Sequence, residues 1–156
     1  MKNRFWGNQV KTDCAPIAIL NALRWLRYSV NLRNAYKILY QACQCSESKG
    51  TTHSQITRVL RNISDVFPEL KVSRKRVFSG TRIAAFLQGH KTAVLVSYRV
   101  KGSRKGHIYL IVGGRKGRGF INLFSKPLAY WVKKKPPTQV LRTKNGFPTA
   151  WFLERA

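Results

Sequence analysis

The hydrophobic pattern of this chain changes period once, and that change limits what it can fold into. Up to about residue 63 apolar residues recur at helical spacing; from Leu70 onward they alternate or run together at strand spacing. Helices first and strands second exclude an alternating βα layout. They predict an α+β fold in which N-terminal helices pack on a C-terminal antiparallel sheet.

The strongest helical stretch is CAPIAILNALRWLRY, residues 14–28, where Ile17, Ile19, Leu20, Leu23 and Leu26 make a broad apolar surface. Asp13 stands at its N-cap position and Pro16 fits the first turn. A second helix is predicted over Leu32 to Ala42, with Leu32, Ala35, Tyr36, Leu39 and Tyr40 inward. A third runs from a cap at Thr52 or Ser54 to about Ile63 and uses Ile56, Val59, Leu60 and Ile63. Then come a strand at Leu70–Phe78, a short helix at Thr81–Leu87, and the β-branched run TAVLVSYRV at 92–100, which reads as a buried strand. Strands at His107–Val112 and Gly119–Phe124 follow, with edge strands at Tyr130–Val132 and Thr149–Leu153. No internal repeat and no composition break divides the 156 residues, so one domain is expected over 1–156.

Charge narrows the partners. Thirty Lys and Arg face five Asp and Glu, a net +25. With so few acids most cations have no opposite charge within the chain, which points to a polyanion. The stretches RKRVF, KGSRKG, GGRKGRG and WVKKKPP fall mostly in predicted loops, where they would meet phosphates without reading sequence. GGRKGRG lacks the Walker spacing and its Lys-Ser/Thr ending, so nucleotide hydrolysis is not expected. The aromatics do not interleave with the basic residues as in a base-reading RNA module, and the four tryptophans read as packing residues. No apolar run reaches 18 residues and MKNRFWGNQVKTD has no signal-peptide core, so the expectation is a cytoplasmic protein with no transmembrane segment.

The three cysteines are Cys14, Cys43 and Cys45. The pair CQC is too tightly spaced for a zinc knuckle and reads as a helix end; no metal or organic cofactor is expected. Cys14 is different. A thiol in the first turn of a helix feels the positive end of the macrodipole, which favours thiolate. Of the three histidines, His53 and His90 read as surface residues. His107 opens the strand HIYLIV, where a ladder would hold its ring in one direction; it is the candidate base. Asn122 lies on the next predicted strand, GFINLF, a lone amide among Phe120, Ile121, Leu123 and Phe124 that could take an imidazole N–H. The Cys14 N–H and a side-chain amide from Gln9 or Asn8 would supply an oxyanion hole.

In these residues the chain resembles the papain-like cysteine peptidases of the bacteriocin-leader-processing family and their phage and bacterial relatives. The likeness lies in Gln9, the Asp13-Cys14-Ala15-Pro16 step, Asn21-Ala22-Leu23 on the following helix, Gly50-Thr51-Thr52 before a later helix, Gly106-His107 through Gly113, and Asn122. Ala15 stands where the family has Gly. Gln9 lies five residues before the thiol, and Asn8 occupies the family's sixth place. The resemblance implies a papain-like fold and a thiol peptidase with Cys14 as nucleophile, His107 as base, Asn122 as its orienter, and Gln9 or Asn8 at the oxyanion. Its substrate would be a peptide or protein, acidic if the charge selects it.

Two readings stay open on sequence alone. One is an active peptidase whose basic surface associates with nucleic acid. The other is a papain-like protein with weak or lost catalysis that serves as a basic, nucleic-acid-associated protein, such as one packed in a phage virion. Acyl transfer other than proteolysis, an amidase or transglutaminase-like exchange, would suit the same scaffold.

Overall fold

A computed structural model describes residues 10, 12–46, 48–76, 80–89, 91–99, 106–113, 120–122, 133–134 and 149–156. The elements run α1 (Cys14–Trp25), α2 (Leu32–Ala42), α3 (His53–Val66), β1 (Leu70–Arg76), α4 (Gly80–Phe86), β2 (Thr92–Arg99), β3 (Gly106–Gly113), β4 (Phe120–Asn122), β5 (Lys133–Lys134) and β6 (Thr149–Arg155). The strands form one sheet in the order β1-β6-β2-β3-β4-β5, and every described pairing is antiparallel. The expected α+β class is therefore what the chain adopts.

α1 is the central helix. Every residue from Ala15 to Leu23 is buried, as a helix apolar on all sides requires. It packs on β3, β2 and α2. α3 buries only Ile56, Val59 and Leu60, a single stripe at i, i+3 and i+4. Its start is a capping box: Thr52 accepts from the Gln55 N–H while Gln55 accepts from the Thr52 N–H. α1 and α2 both end in Schellman turns. The N–H of Tyr28 reaches the Leu23 carbonyl, and that of Cys45 reaches Tyr40. Arg27 (φ 64) and Gln44 (φ 53) take the left-handed position that glycine usually fills.

The sheet is buried on both faces. Ala93, Leu95, Leu110, Val112, Trp151 and Leu153 join α1, α2 and α3 in one core. Val94, Val96, Ile111, Ala150 and Phe152 join Ile83 and Leu87 in the other. A strand covered on both sides reads as a continuous apolar run, which explains TAVLV in β2 and TAWFL in β6.

Two expectations need correction, and a third falls on residues that are not described. Thr149–Leu153 was expected at an edge, but β6 lies between β1 and β2, with Trp151 and Leu153 at 0% exposure. The strand expected at Tyr130–Val132 lies outside the described residues, which hold a short strand just after it at Lys133–Lys134. Asp13 makes no side-chain capping bond to α1; its carboxylate is used elsewhere, as shown below. Among the described residues no helix is long and apolar enough to cross a membrane.

Candidate active site

The site is assembled where the start of α1 meets the start of β3. The segment before α1 is tied down on two sides. On one, Asp13, fully buried, accepts the Tyr36 hydroxyl at 2.8 Å and the Val10 N–H at 3.2 Å on the same oxygen. On the other, the Thr12 hydroxyl donates to the Ser46 carbonyl, and the Cys45 thiol lies 3.7 Å from the Thr12 carbonyl and 3.2 Å from the Thr51 hydroxyl. The left-handed turn at Gln44 is what brings Cys45 back to this place.

Cys14 is the first residue of α1 and is half-buried. The backbone amides of Ile108 on β3 and of Ala15 lie close enough to its sulfur to favour the thiolate. The Ile108 N–H belongs to the peptide that His107 forms, so the sulfur and the backbone of residue 107 are neighbours. β3 holds this peptide firmly, with His107 opposite Tyr98 and Ile108 opposite Ser97 on β2.

Electrostatics at the sulfur run against the expectation from the helix terminus. Burial pushes the Cys14 thiol up, the two amides pull it down by less, and the nearby Cys45 and Asp13 add to the rise. Desolvation thus outweighs the helix-end effect in the described surroundings. Cys43 is fully buried at the end of α2 and is pushed up to about 12, by burial first and then by Cys45. It is a structural thiol, and among the described residues no cluster of His, Cys, Asp and Glu is built to hold a metal ion.

For the other expected residues the outcome is mixed. Asn8 and Gln9 lie outside the described residues. The backbones of His107 and Asn122 are described and their side chains are not. The β3–β4 register sets Asn122 opposite Ile111. Ile111 is four residues from His107 on the same strand, about 13 Å at the usual strand rise. Whether the Asn122 amide meets the His107 ring lies outside the described residues, which carry the β3–β4 ladder from Gly113 to Ile111.

His53, read from sequence as a surface residue, is seated in the structure. Its Nε2 lies 2.8 Å from the Ser97 hydroxyl, and its ring packs edge-on to Trp151, centroids 5.5 Å apart. Ser97 is the residue across from Ile108, so this imidazole stands in the same row of the sheet as the candidate thiol. The signal lay in the paired cap of α3; the partners, 44 and 98 residues away, left no local trace.

Helices on an antiparallel sheet, with a half-buried cysteine opening the central helix against the His107–Ile108 peptide of β3, fit the class of papain-like peptidase folds. No protein-family model and no curated protein matches the chain. Its structure is similar to the crystal structure of the peptidase domain of Streptococcus ComA, a bifunctional ABC transporter involved in a quorum-sensing pathway. The two share a TM-score of 0.64 over 99% of each chain, at 14% sequence identity. The resemblance read from the sequence is therefore matched in the fold along its whole length.

Proposed function

We propose that the chain is a papain-like thiol hydrolase, a cysteine peptidase in which Cys14 and His107 form the reacting pair. The Cys14 thiolate attacks the scissile carbonyl carbon, and the Cys14 N–H with the amide of Gln9 or Asn8 holds the oxyanion. The His107 imidazolium gives its proton to the leaving amine. Water, deprotonated by the same ring, then opens the thioester. The basic surface favours an acidic peptide and also associates with nucleic acid.

The observation that supports this reading is the contact of the Cys14 sulfur with the His107–Ile108 peptide. A second consideration is electrostatic: the described surroundings raise the thiol, so a thiolate at neutral pH needs an imidazolium partner, and the backbone of residue 107 adjoins the amide that faces the sulfur. Asn122, four residues off in the ladder, is not needed by this pair.

The test is alkylation by iodoacetamide at pH 5–6, with the modified residue identified by mass spectrometry. Cys14 is expected to label well before Cys43 and Cys45, and His107→Ala to slow it at least tenfold. Asn122→Ala is expected to change it by less than threefold. Equal, slow labelling of all three thiols would refute the reacting pair. Activity is followed on denatured protein substrates, with Cys14→Ala as the blank.

The net charge favours a second reading, a basic binder on the same fold with little or no catalysis. Lys71, Arg74, Lys75 and Arg76 are exposed on β1 at the edge of the sheet. Binding by phosphate contact would show a log affinity falling linearly with log salt. Thiols that label slowly and equally, together with that slope, would favour it over the peptidase.

A further inference from the structure

Asp13 is an expensive residue in its place. It is one of five acids in the chain, it is 0% exposed, and it makes no capping bond to the helix it precedes. A buried carboxylate is retained where the hydrogen bonds it accepts cannot be given up. Its charge also opposes thiolate formation at the next residue, the wrong direction for a group meant to activate a nucleophile.

What Asp13 does hold is the approach to the thiol. One oxygen accepts both the Val10 N–H at 3.2 Å and the Tyr36 hydroxyl at 2.8 Å. The Val10 N–H is part of the peptide formed with Gln9, one of the two candidate oxyanion amides. The Tyr36 hydroxyl comes from α2, so the bond ties the segment before α1 to a second helix. The partner of that clamp, the hydroxyl of Tyr36, is itself pushed well above its ordinary range, by burial first and then by Asp13; it stays a donor at every working pH.

We propose that Asp13 is a positioning residue: clamped by Tyr36, it fixes the Val10 N–H and thereby the approach of the chain to the reacting sulfur. What is positioned rests on the peptidase reading; the clamp itself rests on the two hydrogen bonds. Among the described residues the groups that face Cys14 are Asp13 on its own segment, the Ala15 amide of α1, Cys45 from the loop after α2 and the Ile108 amide of β3, with Tyr36 of α2 behind Asp13; His107 is its partner under the proposed function.

Three variants separate charge from clamp. Asp13→Asn keeps an oxygen that can accept both bonds and removes the charge. Asp13→Ala removes both. Tyr36→Phe keeps the charge and removes one bond. Val10 amide hydrogen exchange reads the clamp: it is expected to stay slow in Asp13→Asn, to quicken at least tenfold in Asp13→Ala and severalfold in Tyr36→Phe. The pH of half-maximal Cys14 alkylation reads the charge, and should fall in both Asp13 variants and hold in Tyr36→Phe. Peptidase kcat should drop at least tenfold in Asp13→Ala with KM little changed, and stay within threefold in Asp13→Asn. A more reactive thiol on a slower enzyme is a pattern that general loosening would not give.

Unchanged Val10 exchange in Tyr36→Phe and Asp13→Ala would overturn the clamp. Faster exchange with unchanged kcat would overturn its positioning role. Should Asp13→Ala fail to fold, Tyr36→Phe and Asp13→Asn still decide. A wild-type chain that cleaves no peptide would sink the peptidase reading alone, and the exchange and alkylation arms would then judge the clamp.

Discussion

Thr57→Val should destabilise the fold by about 2 kcal/mol, nearly all of it from one hydrogen bond. Thr57 lies on α3, one turn after His53. Its hydroxyl donates to the His53 carbonyl at 3.0 Å, and it accepts the Trp151 indole N–H at 3.0 Å and an Arg74 N–H at 3.4 Å. Trp151 is 0% exposed, so its N–H has no water to turn to. Valine matches threonine in shape but accepts nothing, which leaves a buried donor orphaned at about 1–3 kcal/mol. The bond back to His53 and the long, exposed contact with Arg74 add little, since such bonds compete with water at small net gain. Thr57→Ser keeps the hydroxyl and loses one methyl of a half-buried residue, so it should cost under about 1 kcal/mol.

Urea unfolding followed by tryptophan fluorescence reads the difference as a shift of midpoint at constant slope. For a domain of this size a 2 kcal/mol loss also lowers Tm by roughly 4–8 °C. A Thr57→Val protein within about 0.5 kcal/mol of wild type, or one no worse than Thr57→Ser, would refute the reasoning. The bond matters beyond stability. It joins α3 to β6 across 94 residues and steadies the Trp151 ring against which His53 stands.

Gly113→Ala should destabilise by about 1–3 kcal/mol by overpacking, because a β-carbon there would sit 2.7 Å from the Leu87 carbonyl oxygen, a backbone atom that cannot swing aside; a thermal scan checks it. Stability should also fall as the solution turns alkaline. Cys43 titrates near 9 when unfolded and about 12 when folded, so above pH 9 the unfolded chain loses a proton that the folded chain keeps. The loss approaches 1.4 kcal/mol per pH unit between those values, is absent below pH 9, and should be shallower by that amount in Cys43→Ala; equal slopes in the two proteins would contradict it.

Local pattern made some elements legible and left others dark. The bounds of α2 follow from its apolar stripe alone, and Asn31 caps it as a short polar residue should, accepting the Asn34 N–H. The start of α3 was visible in Thr52 and Gln55. Strand neighbours were not, since pairing order leaves no mark in a single strand. Yet the five buried residues of TAWFL carried the information that β6 is central, because an edge strand seldom buries both faces. Asp13 has the residue type of a helix cap, and the competitor for its oxygens, Tyr36, sits 23 residues away. Cys14 was placed correctly as the first residue of α1, but position at a helix end says nothing of depth, and depth decides the direction of its titration.

The position of the thiol follows from the meeting of two elements: the first residue of α1 lies against the Ile108 amide of β3. The charge of the chain acts elsewhere. Across the sheet Ile108 faces Ser97, Ser97 faces Thr149 and Thr149 faces Arg76, three strand spacings or about 14 Å from the sulfur's neighbour to the basic edge. At physiological salt the Debye length is about 8 Å, so the β1 cations hardly reach the thiol. Its titration is set by burial, by the Ile108 and Ala15 amides, and by Cys45 and Asp13. Under the proposed function, the positive field instead governs how a polyanion or an acidic peptide arrives. Added salt should therefore slow that encounter steeply while leaving the alkylation rate of Cys14 nearly flat.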